Sequence, residues 1–476
     1  MPLKKKVKHS QLAKAPTGIQ GLDTITGGGL PKNRPTLLCG YTGCGKTVMS
    51  MEFLINGIRD QDEPGVFMAF EETTNEISLN MASLGFNVPE LVASKKLYVE
   101  QVKVNRNEIV ETGKYDLGGL FVRLENAIDS IGAKRVVLDS LDTLFYGINY
   151  QILRAELIRL FDWLKQKKVT AIVTAEIGES FLTRQGLEEY VADCVIVLDN
   201  RIKNQVSTRR IRIVKYRGSE HGNNEYPFKI TEKGMSVFPI HEDIEDPPSS
   251  SNRVKTGIEE LDNMMEGKGY FQGSSILISG SAGTGKSSVA VSLANVVCKD
   301  DGKVLYCAME ESPNQIKRNM HSINLKLEKY INSELLHFYF CRPTVHNLEM
   351  HLIAIRKMVI ELNPHVVILD PVTTILAEDI NSEIRYLLIE LVDFLKSRQI
   401  TLLYTAAISL ESIQGNPSDE GISSLVDTWI LLQDVELEHN RKRYISILKS
   451  RGMGHSSKAR EFIINSKGIS IVAEKN

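Results

Sequence analysis

The sequence predicts an α/β protein made of two tandem copies of one domain, each a mostly parallel sheet flanked by helices. Three observations predict it. Short β-branched apolar runs alternate with amphipathic helical patterns through each half, the alternation that a parallel sheet with helices on both faces requires. Gly40-Tyr41-Thr42-Gly43-Cys44-Gly45-Lys46-Thr47 returns as Gly280-Ser281-Ala282-Gly283-Thr284-Gly285-Lys286-Ser287, two matches to G-x-x-x-x-G-K-[ST] in matched settings. Landmarks in the first half also recur at a nearly constant offset: Lys286 follows Lys46 by 240 positions, Glu310 follows Glu71 by 239, and Arg451 follows Arg217 by 234. That is a duplication with small changes of loop length.

Composition sets the bounds. A chain of 476 residues is long enough for each copy to bury its own core. Charged residues at 24% and hydrophobic residues at 42% are ordinary for a globular protein. The net charge of −2 argues against nucleic acid as a partner. No apolar run reaches the length of a membrane span, so a cytoplasmic protein without membrane contact is expected. Six cysteines without C-x-x-C spacing suit reduced thiols. Cys44, inside the first loop, reads as a small neutral filler or as a thiol whose oxidation would block the site.

In chain order, residues 1–16 are a basic arm (Lys4, Lys5, Lys6, Lys8, Lys14) with no apolar core of a signal peptide. It is a solvated arm or a contact for an acidic partner or polynucleotide. Residues 17–240 form the first domain, with strands expected at Thr36–Cys39, Gly65–Phe70, Leu97–Gln101, Arg135–Leu138, Val169–Thr174 and Cys194–Leu198. Residues 241–252, with Pro and Ser runs, read as an extended linker. Residues 253–476 form the second domain, with strands at Ser275–Ser279, Lys303–Met309, Leu336–Cys341, Val366–Leu369, Ile400–Thr405 and Thr428–Leu432. Arg209–Val214 and Arg443–Leu448 are expected as added edge strands.

The chemistry follows from the loops. Each lies between an apolar strand and a helical pattern, so its backbone N–H groups and the helix N-terminus can cradle an anion. Thr42, Gly43, Cys44, Gly45, Lys46 and Thr47, and Ala282, Gly283, Thr284, Gly285, Lys286 and Ser287, are the nucleotide-binding candidates, with ATP and Mg²⁺ as cofactors. The lysines would reach the β- and γ-phosphates, and Thr47 and Ser287 would offer a hydroxyl to Mg²⁺. Apolar strands ending in Asp139 and Asp370 are Walker-B candidates that hold the metal through its water shell. Pro371, where the first copy has Ser140, is expected to alter the turn.

Glu71-Glu72 and Glu310-Glu311 end the strand after each loop's helix. They are candidates for general base or water-orienting group, with Glu310 also facing the metal; solvated loop acids are the plainer reading. Lys215 and Arg217, like Lys449 and Arg451, sit at i and i+2 on a strand and share a face. They are solvated surface cations or trans-acting cations on a neighbouring subunit's nucleotide. Glu188-Glu189 in the first half is replaced by Ser423-Ser424 in the second. Phosphorylation there would add about −1.5 to −2 charges per serine where the sister copy carries permanent charge; local capping is the alternative.

The tandem loops, Phe70-Glu71-Glu72, Met309-Glu310-Glu311-Ser312, Glu225-Tyr226-Pro227-Phe228 and Ile422-Ser423-Ser424 together resemble the circadian clock KaiC family, from about Thr17 to Ile471. The resemblance implies two RecA-like domains stacked as a double ring of six protomers, with ATP bound between subunits. It implies a slow ATPase in the first ring, with Glu71 activating water and Lys215 and Arg217 acting across the interface. The second ring would be an autokinase and autophosphatase, with Glu310 as base, Ser423 and Ser424 as phosphoacceptors, and Lys449, Arg451 and Arg385 near the interface phosphate. Ser424 stands where the family has Thr, which is expected to change the order or rate of modification. A KaiB-like partner would dock on the first ring near Asn105–Leu120. Activation of the KaiA type is not expected, because the sequence stops at Asn476 without the family's C-terminal extension. The competing functions are a RecA-like DNA-dependent ATPase or recombinase, and a nucleotide-gated scaffold whose serines are never modified.

Overall fold

Alternating apolar residues at strand spacing drive each half into a nine-stranded sheet. This computed structural model describes residues 12–102, 117–143, 150–178, 192–203, 206–239, 250–340, 348–372, 382–407, 426–437 and 440–473. The chain divides into two units, Met1–Ile240 and His241–Asn476.

In the first unit the sheet strands are β1 (Pro35–Gly40), β2 (Gly65–Ala69), β3 (Leu97–Gln101), β4 (Arg135–Asp139), β5 (Thr170–Glu176), β6 (Cys194–Lys203), β7 (Val206–Tyr216), β8 (Glu225–Thr231) and β9 (Gly234–Val237). In the second they are β10 (Ser275–Gly280), β11 (Val304–Ala308), β12 (Leu336–Phe340), β13 (Val366–Asp370), β14 (Thr401–Ala406), β15 (Thr428–Leu437), β16 (Asn440–Ser450), β17 (Arg460–Asn465) and β18 (Gly468–Ile471). The spatial orders are β9-β8-β7-β6-β1-β5-β4-β2-β3 and β12-β11-β13-β14-β10-β15-β16-β17-β18. Read from opposite edges these are the same order, which is the duplication in three dimensions. The pairings from β3 across to β6 are parallel, and those from β6 to β9 are antiparallel.

Arg209–Val214 and Arg443–Leu448 are not edge strands. β7 pairs with β6 on one side and β8 on the other, and β16 pairs likewise with β15 and β17. Each half ends in an extra hairpin, β8–β9 or β17–β18, that covers this strand. Pro227 weakens the strand signal of β8, because proline donates nothing to a ladder.

Period-two alternation sorts the β2 side chains onto two faces. Val66 and Met68 join the core of Leu124, Leu157 and Phe161. Phe67 and Ala69 face Met51, Phe53 and Leu54. Helix α1 (Lys46–Gln61) is buried all round from Met49 to Ile58, because the sheet lies on one side and the β8–β9 hairpin on the other. Helix α2 (Thr74–Ala82) starts in a capping box of Thr73 and Glu76, immediately after the acidic pair. Helices α3 (Gly118–Ile131) and α4 (Tyr150–Gln166) complete the layers of the first unit. Their counterparts are α5 (Lys286–Lys299), α6 (Pro313–His321), α7 (Leu348–Leu362) and α8 (Ser382–Ser397). The capping box recurs at α6 with Ser312 and Gln315. Among the described residues no helix is long and apolar enough to cross a membrane.

Candidate active site

The first loop leaves β1 at Gly40 and enters α1 at Lys46. Gly43 (φ 77°) and Gly45 (φ 109°) adopt the left-handed region that turns successive N–H groups inward. A side chain at Gly45 would also strike Ile230 of β8. Lys46 Nζ donates to the carbonyls of Gly40 (2.7 Å) and Tyr41 (3.1 Å), which holds the ammonium over the loop. The second loop repeats this geometry. Gly283 (φ 81°) and Gly285 (φ 104°) turn the chain, and Lys286 Nζ donates to Gly280 and Ser281, each at 2.8 Å.

Parallel strand order brings the other groups to the same end of the sheet, where ligands of such sheets sit. Asp139 at the end of β4 accepts from Thr47 Oγ1 at 2.8 Å and from Thr174 Oγ1. Burial pushes its carboxyl above the usual range, against the pull of those hydroxyls and of Lys46. Glu71 accepts from Thr143, and Glu72 accepts from Asn80 Nδ2 at 3.2 Å. Burial, and then the neighbouring charge of Asp139, push Glu72 upward too. A cleft of about 520 Å³ joins Lys46, Thr47, Glu71, Glu72, Asp139 and Arg209.

The second unit keeps the plan and changes the wiring. Asp370 ends β13 and accepts from Tyr306 Oη (2.5 Å) and from Thr405. Lys286 lies within electrostatic reach of Asp370 and Glu310, while burial pushes its ammonium downward. Glu311 accepts from Asn319 Nδ2 at 3.1 Å, as Glu72 does from Asn80. The peptide bonds Asp139–Ser140 and Asp370–Pro371 are both cis; a 3-10 turn at Leu141–Thr143 follows the first, and residues 373–381 after the second lie outside the described residues.

Lys215 and Arg217 lie away from their own loop, Lys215 at mid-strand and Arg217 at the start of the parallel strands. Lys215 pairs with Val195, which lies beside Leu37 of β1, and the Arg217 amide donates to Asp193 O at 2.9 Å. The loop end is three to five residues farther on, roughly 10–16 Å along the strands. Arg217 faces the Asp193 carboxylate at 3.8 Å, and Arg451 faces Asp427 at 3.7 Å. Lys165 and Lys396 pair with the same two carboxylates at 2.8 and 2.7 Å. Lys449 pairs with Trp429 in the matching register. Arg385 falls on α8, at a position whose side chain is outside those described. Ser423 and Ser424, Glu188 and Glu189, and residues 105–116 of the expected docking segment also lie outside the described residues.

Reading along the chain missed several groups in the clefts. Arg209 and Glu176 line the first cleft, and Glu176 accepts from Thr42 Oγ1 at 2.9 Å. Both parts of that pair vanish in the second unit, where Ala282 and Ala407 stand instead. Thr174 and Tyr306 hold the two aspartates from neighbouring strands. A carboxylate at a strand end carries no local mark of its partner, so only the aspartates were legible. Cys44 is fully buried, and burial pushes its thiol upward, which makes it a filler and not a reactive group.

The donor sets fit Mg²⁺. Thr47 with Asp139, and Ser287 with Asp370, are hard oxygen donors beside a phosphate cradle. Mg²⁺ takes one or two carboxylates plus substrate phosphates in place of an all-protein cage, and no cluster of three acidic, His or Cys groups suited to a metal occurs among the described residues. A buried Asp139 carboxylate gains from such a cation.

Comparison with known proteins agrees in both halves. The family model described as ATPase: KaiC matches residues 15–242 and again 254–476. The chain is 50% identical over 463 residues to the circadian clock protein KaiC2 of Synechocystis sp., covering 97% of this chain and 82% of that protein. It is 35% identical over 467 residues to the circadian clock oscillator protein KaiC of Synechococcus elongatus, covering 98% and 90%. It is also 35% identical over 463 residues to the protein of that name from Parathermosynechococcus lividus, covering 97% and 85%.

Proposed function

The chain belongs to the KaiC family of ATPases, and from that premise we propose that it is a clock-type ATP-driven signalling protein whose two clefts do different work. The N-terminal unit is a slow ATPase. The C-terminal unit phosphorylates and dephosphorylates Ser423 and Ser424. Six protomers form a double ring, and each nucleotide lies between neighbours.

One observation carries the reading. Each unit repeats an incomplete half-site of loop lysine, loop hydroxyl, buried aspartate and strand-end acids, while its basic pair lies away from its own loop. A cradle whose own Lys215 and Arg217 lie roughly 10–16 Å away is best completed by those of a neighbour.

In the N-terminal cleft the loop amides and Lys46 bind the β- and γ-phosphates. Glu71 accepts the proton of the attacking water. Glu72, whose carboxyl burial and then the charge of Asp139 push upward, lies beside Glu71. Thr47 and Asp139 would hold Mg²⁺, which supplies charge neutralisation between the phosphates. In the C-terminal cleft the serine oxygen forms a bond to the γ-phosphorus as the bond from that phosphorus to the bridging oxygen of ADP breaks. Glu310 takes the serine proton. Dephosphorylation passes the phosphoryl group to water. Lys449, Arg451 and Arg385 stabilise the transferring charge from the adjacent protomer. A KaiB-like partner on the first ring accords with the same reading.

The test is intact-mass analysis of the full chain after incubation with Mg²⁺–ATP. The parent gains one or two phosphoryl groups, and Ser423→Ala/Ser424→Ala gains none. A parent that hydrolyses ATP and stays unmodified would leave a nucleotide-gated scaffold, and hydrolysis stimulated by DNA would favour the recombinase reading.

A further inference from the structure

Strand β11 places a tyrosine where β2 places a phenylalanine. Tyr306 stands opposite Ile368 of β13, and Phe67 stands opposite Val137 of β4, at the same step before the aspartate. Tyr306 is fully buried and its ring lies 5.3 Å from that of Phe338. A phenol in such a place needs a hydrogen-bond partner, and phenylalanine would fill the space without one. The partner is Asp370: Tyr306 Oη donates to Oδ2 at 2.5 Å while Thr405 holds Oδ1. In the first unit Thr174 plays the part of Thr405, but Oδ2 of Asp139 is held by Thr47, a loop hydroxyl.

We propose that Tyr306 is a positioning residue that holds Asp370 in its cation-accepting orientation, so that the C-terminal cleft is set without engaging the loop hydroxyl of Ser287. The two clefts thereby reach one ligand arrangement by different routes. The N-terminal aspartate is shared between Thr47 beside the phosphate loop and Thr174 of the sheet. The C-terminal aspartate is held from the sheet alone, by Tyr306 and Thr405. Hydrogen-bond partners that orient a metal's ligands typically account for 10–100-fold in metal affinity, which sets the size of the expected effect. The inference rests on reading the C-terminal cleft as a Mg²⁺–ATP site.

The test uses the full chain with Lys46→Ala to silence the N-terminal cleft, and Mn²⁺ as a paramagnetic probe in the presence of a non-hydrolysable ATP analogue. Tyr306→Phe, the sister unit's own residue, is expected to weaken Mn²⁺ binding by about tenfold or more. Analogue binding without metal and the metal-free melting temperature should both stay unchanged. Affinity within twofold of the parent overturns the proposal. So does a loss of affinity accompanied by a lower metal-free melting temperature, since that reports a damaged core. A parent that binds no analogue-dependent Mn²⁺ would sink the nucleotide reading itself, a different result from a Tyr306-independent affinity.

Discussion

The two units share one strand order and one loop geometry, yet they anchor those parts with different side chains. Under the first loop's helix, at the start of β4, Arg135 is completely buried. It donates to Glu63 Oε2 (2.8 Å), Phe53 O (2.8 Å) and Pro16 O (2.9 Å), and lies over the Phe53 ring. Gly57 makes room for it, since a side chain there would strike the guanidinium. The matching strand position in the second unit is Val366. On the first loop's helix, Glu52 is buried and accepts from the Met235 amide at 2.8 Å; its counterpart is Ser292, which bonds within its own helix. Duplication preserved the backbone plan while the polar anchors diverged. Backbone hydrogen bonds of a sheet tolerate many side chains, whereas a buried charge needs one particular partner set.

The largest effect expected from this contrast is on stability. Arg135→Ala should destabilise the N-terminal unit by about 3–5 kcal/mol, because a buried pair loses one member and two carbonyls lose a donor. Val366→Ala should cost the C-terminal unit about 2 kcal/mol, the loss of two buried methyl groups. Hydrogen exchange resolved at α1 and α5 across a urea series separates the two. Equal costs would mean that the arginine is no anchor.

Catalysis should divide in the same way. Glu71→Gln is expected to lower basal ATP hydrolysis by about 10²-fold or more while phosphate still reaches Ser423 and Ser424. Glu310→Gln should do the reverse. Parallel measurement of released phosphate and protein-bound label decides it, and a variant that abolishes both activities would erase the division of labour.

The smallest effect is a pH dependence confined to one unit. Burial pushes the Glu52 carboxyl up to about 7, above its unfolded value. The folded unit therefore holds more protons than the unfolded chain between the two values. Its contribution is fully present below about pH 4.5 and is lost as pH rises through about 7. Glu52→Gln should flatten that slope and stabilise α1 by about 1–2 kcal/mol at pH 8. Exchange at α5, with Ser292, should show no such slope. A slope equal in both helices would remove Glu52 as its source.

Much of this was written in plain view along the chain. The loops are contiguous eight-residue motifs, and the strands ending in Asp139 and Asp370 announce themselves by runs of valine, leucine and isoleucine. The acidic pairs sit directly before a capping-box start, so their place at the strand ends was legible too. The edge-strand expectation failed at Arg209–Val214 because the closing hairpin contains Pro227 and short strands that local propensity scores poorly. Arg209 and Glu176 were passed over for another reason. Nothing in their neighbours along the chain says that both reach one cleft.

Residue order alone therefore dictated the duplicated α/β plan, the phosphate cradles and the Walker-type aspartates, because loop glycines, strand alternation and helix starts are local in their physics. Folding in three dimensions chose the partners: Tyr306 for Asp370 across 64 positions, Arg135 for Pro16 across 119, and a mid-strand place for Lys215 away from Lys46. Those choices are set by strand order and by the need to satisfy every buried polar group at once. No short window of sequence contains that information.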